Sequence, residues 1–264
     1  MTVLSERVSP RRSLRDSLAW HPEWWVYALA GASALVLVAL ALGSTESGGS
    51  TGHQMHHGHG AMAMSSEPQS PWAAWLGAMG HWTLMVAAMM LPIVAPQVRR
   101  VALRSVRSRR TRGPATFLLG YVAVWLVLGA ALLTVLVAVG GPEQPAPWLV
   151  VALLAAAAWQ VSGPRRRMLR RCSSLRLGAA TGFAADLDCL RAGLRSGLRC
   201  ALTCGPLMVA MALSHSLLLM AGVLAVLLSE RARGANPVRR AGRPHEALVL
   251  GGFAVAAALA APLW

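Results

Sequence analysis

The chain has 264 residues, of which 55% are hydrophobic and only 13% charged, with a net charge of +15 at neutral pH. Several apolar runs approach the roughly 20 residues needed to cross a hydrocarbon core, which excludes a water-soluble globular protein and predicts an all-α, polytopic transmembrane bundle of about six spans. All 25 basic residues are arginine. They concentrate between apolar runs without a recognisable nucleic-acid-binding fold, so they report orientation and contact with membrane lipids and exclude nucleic acid as the partner.

Residues 1–23 form a basic N-terminus carrying Arg7, Arg11, Arg12 and Arg15, and residues 24–264 form the integral membrane bundle. The first apolar run, Trp24 to Leu42, is longer than the roughly 7–15 residues of a secretory h-region and opens on the interfacial pair Trp24-Trp25. It reads as a retained span with a cytoplasmic N-terminus, in a multi-pass protein of a bacterial-type plasma membrane. Residues 43–71 follow as a Gly/Ser-rich loop free of Lys and Arg, which places them outside. Their centre holds His53, Met55, His56, His57 and His59, with Met62 and Met64 beyond. This is a loop suited to gathering metal, the alternative being a linker with incidental His and Met.

The second span runs from Trp72 to about Ala95. His81, Met85 and Met89 stand at i, i+4 and i+8 and share a face, while Met90 points to the opposite side. Methionine commonly fills irregular cores, so packing is the competing role. An imidazole well inside a span is costly, which turns His81 toward the bundle interior, a cavity or a partner. Seven arginines between Pro96 and Gly113 make that stretch a cytoplasmic loop. A third span covers about Ala115 to Val139, the turn GGPEQPAP lies outside, and a short fourth span, Trp148 to about Val161, ends at Ser162-Gly163-Pro164 before the inside residues Arg165-Arg166-Arg167.

Leu175 to Arg199 is too polar to cross. Leu187, Leu190, Leu194 and Leu198 fall on one helical face and Arg191, Arg195 and Arg199 on another, the pattern of a cytoplasmic interfacial helix. A solvated helix packed on the bundle fits the same pattern. Leu198 to Ser229 would be about 48 Å long as one helix, against a core of about 30 Å. One long, kinked span with Pro206 as a kink site is the preferred reading, and a hairpin bending near Ser214-His215-Ser216 or Gly222 the alternative. The last span is about Ala247 to Pro262.

Within the fifth segment, Cys200, Cys204, Met208, Met211 and His215 fall within an arc of roughly 80° on a continuous helix. Thiolate, thioether and imidazole in one stripe suit a soft metal, Cu(I) above all. Cys172, Cys189, Cys200 and Cys204 lie in cytoplasmic or intramembrane sequence, where a disulfide framework is not expected. Phosphate loops, paired carboxylates and Ser/His/Asp sets are not evident.

The second span, GHWTLMVAAMMLP, and the fifth, GLRCALTCGPLM, together resemble the domain-of-unknown-function 2182 family of predicted metal-binding integral membrane proteins, also called copper chaperones. Trp82, Met85, Ala88, Met89, Met90, Leu91 and Pro92 match its first run in order; Gly197, Cys200, Cys204, Leu207 and Met208 match its second. The stretch from Gln160 to Cys172 is also similar. Ser196, Thr203 and Gly205 depart from the pattern, standing where it has His, Cys and Trp. The resemblance covers residues 72–230 and implies a metal-binding core there.

These readings converge on a non-enzymatic protein that binds, transfers or transports copper(I), with no organic cofactor. A copper donor or acceptor protein is the expected partner. Two other classes remain: a thiol oxidoreductase using Cys200 and Cys204, whose Cys-x-x-x-Cys spacing differs from the usual redox pair, and a metal-free structural scaffold.

Overall fold

The computed structural model describes residues 22–47, 70–106, 109–139, 146–165, 168, 182–213, 217–234 and 252. Within them the elements are all helical: α1 (Trp24–Ser47), α2 (Pro71–Arg104), α3 (Arg112–Val139), α4 (Ala146–Val161), α5 (Gly182–Ala212) and α6 (Leu217–Gly234). Three stretches, Trp24–Gly43, Trp72–Arg104 and Arg112–Ala138, are long and apolar enough to cross a membrane; α4 and α6 carry shorter apolar segments. Apart from residue 252, the expected last span, Ala247 to Pro262, lies outside the described residues, as does the His/Met-rich loop.

α2 is flanked by α1 and α3 and touched by α6. Its start is fixed locally: the Ser70 hydroxyl accepts from the Ala73 N–H, and Pro71 at the first helical position has no N–H to leave unpaired. Its end differs from the sequence expectation. The helix does not stop near Ala95 but runs through Pro92 and Pro96 to Arg104, so part of the expected cytoplasmic loop is helix. Each proline costs the helix a hydrogen bond. Val94, Ala95, Val98, Val101 and Ala102 nonetheless form one continuous buried face, and that packing carries the helix past both interruptions.

α3 buries a ridge at every fourth residue, Phe117, Tyr121, Trp125 and Leu133, while Leu119, Val127 and Val135 face outward. Its directions relative to its neighbours follow from the contacts. Ser105 after α2 lies against Gly113 at the start of α3, and Trp82 near the other end of α2 reaches Trp125 and Gly129, so the two helices are antiparallel. Asp186 pairs with Arg109 and Arg112, Gly193 meets Phe117 and Gly197 meets Tyr121, so α3 and α5 run parallel. Glu23 faces Arg99 at 3.7 Å, bringing the start of α1 to the same arginine-bearing end.

α5 unites two segments that the sequence separates. The amphipathic stretch and the cysteine-bearing stretch form one helix, beginning at Gly182, whose φ of 75° requires glycine, and passing through Pro206. Its inner face is a stripe of small residues, Ala185, Cys189, Gly193, Gly197 and Ala201, packed on α3, and Leu194 and Leu198 point outward with Arg191 and Arg195. The packed alternative therefore describes this segment: small side chains let two backbones approach, which long leucines would prevent. The stretch from Leu198 to Ser229, read as one long kinked span, is carried by two helices, α5 ending at Ala212 and α6 beginning at Leu217.

Candidate metal centre

The sulfur-bearing residues expected to face inward do so. Met85, Met89, Met90, Cys204, Met208 and Met211 belong to one contiguous buried cluster, and the half-buried Cys200 packs against it. Met90, expected on the opposite side from Met89, is likewise 0% exposed, because α2 is enclosed on both faces. His81 is half-buried, a few residues above Met85. His215, His53, Met55, His56, His57 and His59 lie outside the described residues, so the stripe is traced from Cys200 to Met211 only.

α2 and α5, both referred to α3, run antiparallel, and one direct bond joins them. The Ser196 hydroxyl donates to Gln97 Oε1 at 2.5 Å, one turn before Cys200 on α5 and two turns past Met89 and Met90 on α2. Both helices nevertheless pack against α3, so the site has a third wall that the two-helix expectation lacked. From that wall Tyr121 Oη donates to Cys200 Sγ at 3.2 Å. Also on it, Trp125 presents its carbonyl oxygen to Trp82 Nε1 at 2.9 Å, and the Trp82 indole occupies the space a side chain at Gly129 would need. Trp82 thus locks α2 to α3 one turn from Met85. Neither Tyr121 nor this role of Trp82 was anticipated; the available signals were a lone tyrosine in the apolar run FLLGYVAVWL and the small-residue pair Gly193 and Gly197 four positions apart.

Pro206 lies between Cys204 and Met208 and cannot offer an N–H to the carbonyl four residues back. That carbonyl, Leu202, accepts from Trp159 Nε1 at 3.1 Å, and the next one, Thr203, accepts from Arg165 Nε at 3.1 Å. Arg165, expected as an inside loop charge, is instead 1% exposed and also reaches the Gln160 carbonyl. The irregular turn of α5 is therefore satisfied from outside itself, as backbone buried away from water requires. Thr203 lies with its hydroxyl 3.0 Å from the Arg199 carbonyl and 3.1 Å from that of Cys200, and Cys204 Sγ stands 3.7 Å from the same hydroxyl.

Cys189, Cys200 and Cys204 are not disulfide-bonded. Among the described residues no group of three or more His, Cys, Asp and Glu side chains gathers in a metal-binding arrangement, so a site of three or more ligands among them would draw on methionine. Residues four apart on a helix have Cβ atoms about 5–6 Å apart, close enough for Cys200 and Cys204, or Cys204 and Met208, to converge on one ion. A thiolate and thioether set, walled by apolar side chains, favours a soft monovalent cation over a hard divalent one.

A helical bundle with buried sulfur on two antiparallel helices defines a class of candidate soft-metal carriers. Within that class the chain belongs to the PpoB2 copper chaperone family, whose model matches residues 79–256. The match takes in His81, Trp82, the methionines of α2 and the whole of α5 and α6. No curated protein and no solved structure matches the chain.

Proposed function

We propose that this protein is a non-enzymatic, multi-pass membrane copper handler that carries copper as Cu(I) within its bundle, on Cys200, Cys204, Met208 and Met211 of α5 and Met85, Met89 and Met90 of α2. The observation that carries the reading is that six of these sulfur residues are buried in one core, with the half-buried Cys200 packed against it, in a chain of copper chaperone kinship. The closer kinship with the domain-of-unknown-function 2182 family belongs to the same proposal. His81 and His215 extend the ligand ladder outward, and the loop residues His53, Met55, His56, His57 and His59 collect copper on the outer side. Membrane lipids surround the bundle, and a copper donor or acceptor protein completes the exchange.

Thioether and thiolate donors bind Cu(I) without a geometry imposed by the metal, so an ion passes between sulfur sets by exchanging one ligand at a time. The arginine-bearing end gives the bundle its inside, by the tendency of positive loops to remain cytoplasmic. The test is a Cu(I) titration of the purified full-length protein and of Cys200→Ser/Cys204→Ser. Loss of bound Cu(I) in the double variant supports the reading; unchanged stoichiometry and affinity refute the intramembrane site.

A further inference from the structure

Tyr121 is 1% exposed, and a phenol hydroxyl buried to that degree needs a partner. It has one in Cys200 Sγ, at 3.2 Å. The distance is enforced by the backbones. A Cβ at Gly197 would lie 2.8 Å from the Tyr121 carbonyl oxygen, and a Cβ at Gly120 would lie 2.5 Å from the Leu190 carbonyl oxygen. Tyr121 therefore cannot withdraw from the turn that carries Cys200 unless α3 and α5 part.

We propose that Tyr121 is a positioning residue of the copper site, its hydroxyl holding Cys200 Sγ in place before Cu(I) arrives and remaining as an outer donor to that sulfur once it ligates. The inference rests on the function proposed above. A flexible thiol loses rotamer freedom on binding a metal, and a sulfur already held in place loses less. The same hydroxyl stabilises the negative charge of a ligating thiolate away from water, where an unpaired anion is costly. Hydrogen bonds of this kind to a ligating atom typically change metal affinity by about 10–100-fold. Tyr121→Phe removes the hydroxyl and keeps the buried ring.

The experiment titrates Cu(I) against a chromophoric Cu(I) chelator in four purified full-length proteins: wild type, Tyr121→Phe, Cys200→Ser and the double variant. Tyr121→Phe is expected to bind as many ions as wild type with affinity lower by about tenfold, and to cause no further loss when Cys200 is already serine. Wild-type affinity in Tyr121→Phe overturns the inference, as does an equal loss in both backgrounds, because a general packing defect would not depend on the sulfur. If Cys200→Ser itself binds Cu(I) as wild type does, the proposed centre falls and the role of Tyr121 with it. If Cys200→Ser weakens binding and Tyr121→Phe does not, only the role of Tyr121 fails.

Discussion

A methyl group on Gly197 would stand 2.8 Å from the carbonyl oxygen of Tyr121, and one on Gly193 would overlap the carbonyl oxygen of Phe117. These two glycines set the spacing of α3 and α5, and with it the reach from Tyr121 to Cys200.

Gly193→Ala is accordingly expected to destabilise the protein by about 3 kcal/mol, since overpacking costs roughly 1–3 kcal/mol and the obstacle is rigid backbone. Gly197→Ala should cost somewhat less. Gly77→Ala and Gly80→Ala are the controls: both lie in α2 with open space where the methyl would go, and alanine should be neutral or stabilising by up to about 1 kcal/mol. Thermal unfolding of the four variants in detergent checks the order.

The carbonyls beside Pro206 make a second prediction. Trp159→Phe removes the donor to the Leu202 carbonyl and should cost about 1 kcal/mol. In a Pro206→Ala background the restored N–H takes that carbonyl, so the same change should cost less. Additive costs in the double-mutant cycle would show that Trp159 acts by packing alone.

Cys189 gives a pH dependence. It lies one turn from Asp186 at the arginine-bearing end, outside the membrane-spanning part. Burial pushes its thiol above the ordinary value of 9.0, with Arg109 pulling the other way and Asp186 adding to the rise. A raised thiol pKa in the folded state means stability present below the unfolded value and lost as pH rises through the folded one. Cys189→Ala should therefore remove part of the alkaline destabilisation seen in unfolding midpoints above about pH 9. At neutral pH the wild-type Cys189 should react with a maleimide more slowly than an ordinary exposed thiol.

Much of this organisation is legible in the residues themselves. Apolar run length gives the three long helices, and helical periodicity puts Cys204, Met208 and Met211 on one face. The structure adds that this face is buried. What escapes the sequence has a common cause in tertiary packing that overrides local signals. The arginines after Pro96 read as a loop, but packing by the neighbouring helices carries α2 through Pro92 and Pro96 to Arg104. The arginines of the 191–199 stretch read as an interface helix, while the decisive feature was the glycine and alanine stripe on its other side. Arg165 reads as a loop charge because nothing local announces that a proline on another helix leaves carbonyls to be satisfied. Tyr121 escaped because one phenol in an apolar run has no periodic pattern to reveal it.

The most direct test of the buried sulfur centre is X-ray absorption at the copper edge on the Cu(I)-loaded full-length protein, compared with Cys200→Ser/Cys204→Ser. The account predicts a first coordination shell dominated by sulfur that shrinks or vanishes in the double variant. A shell of nitrogen and oxygen alone, identical in both proteins, would contradict it.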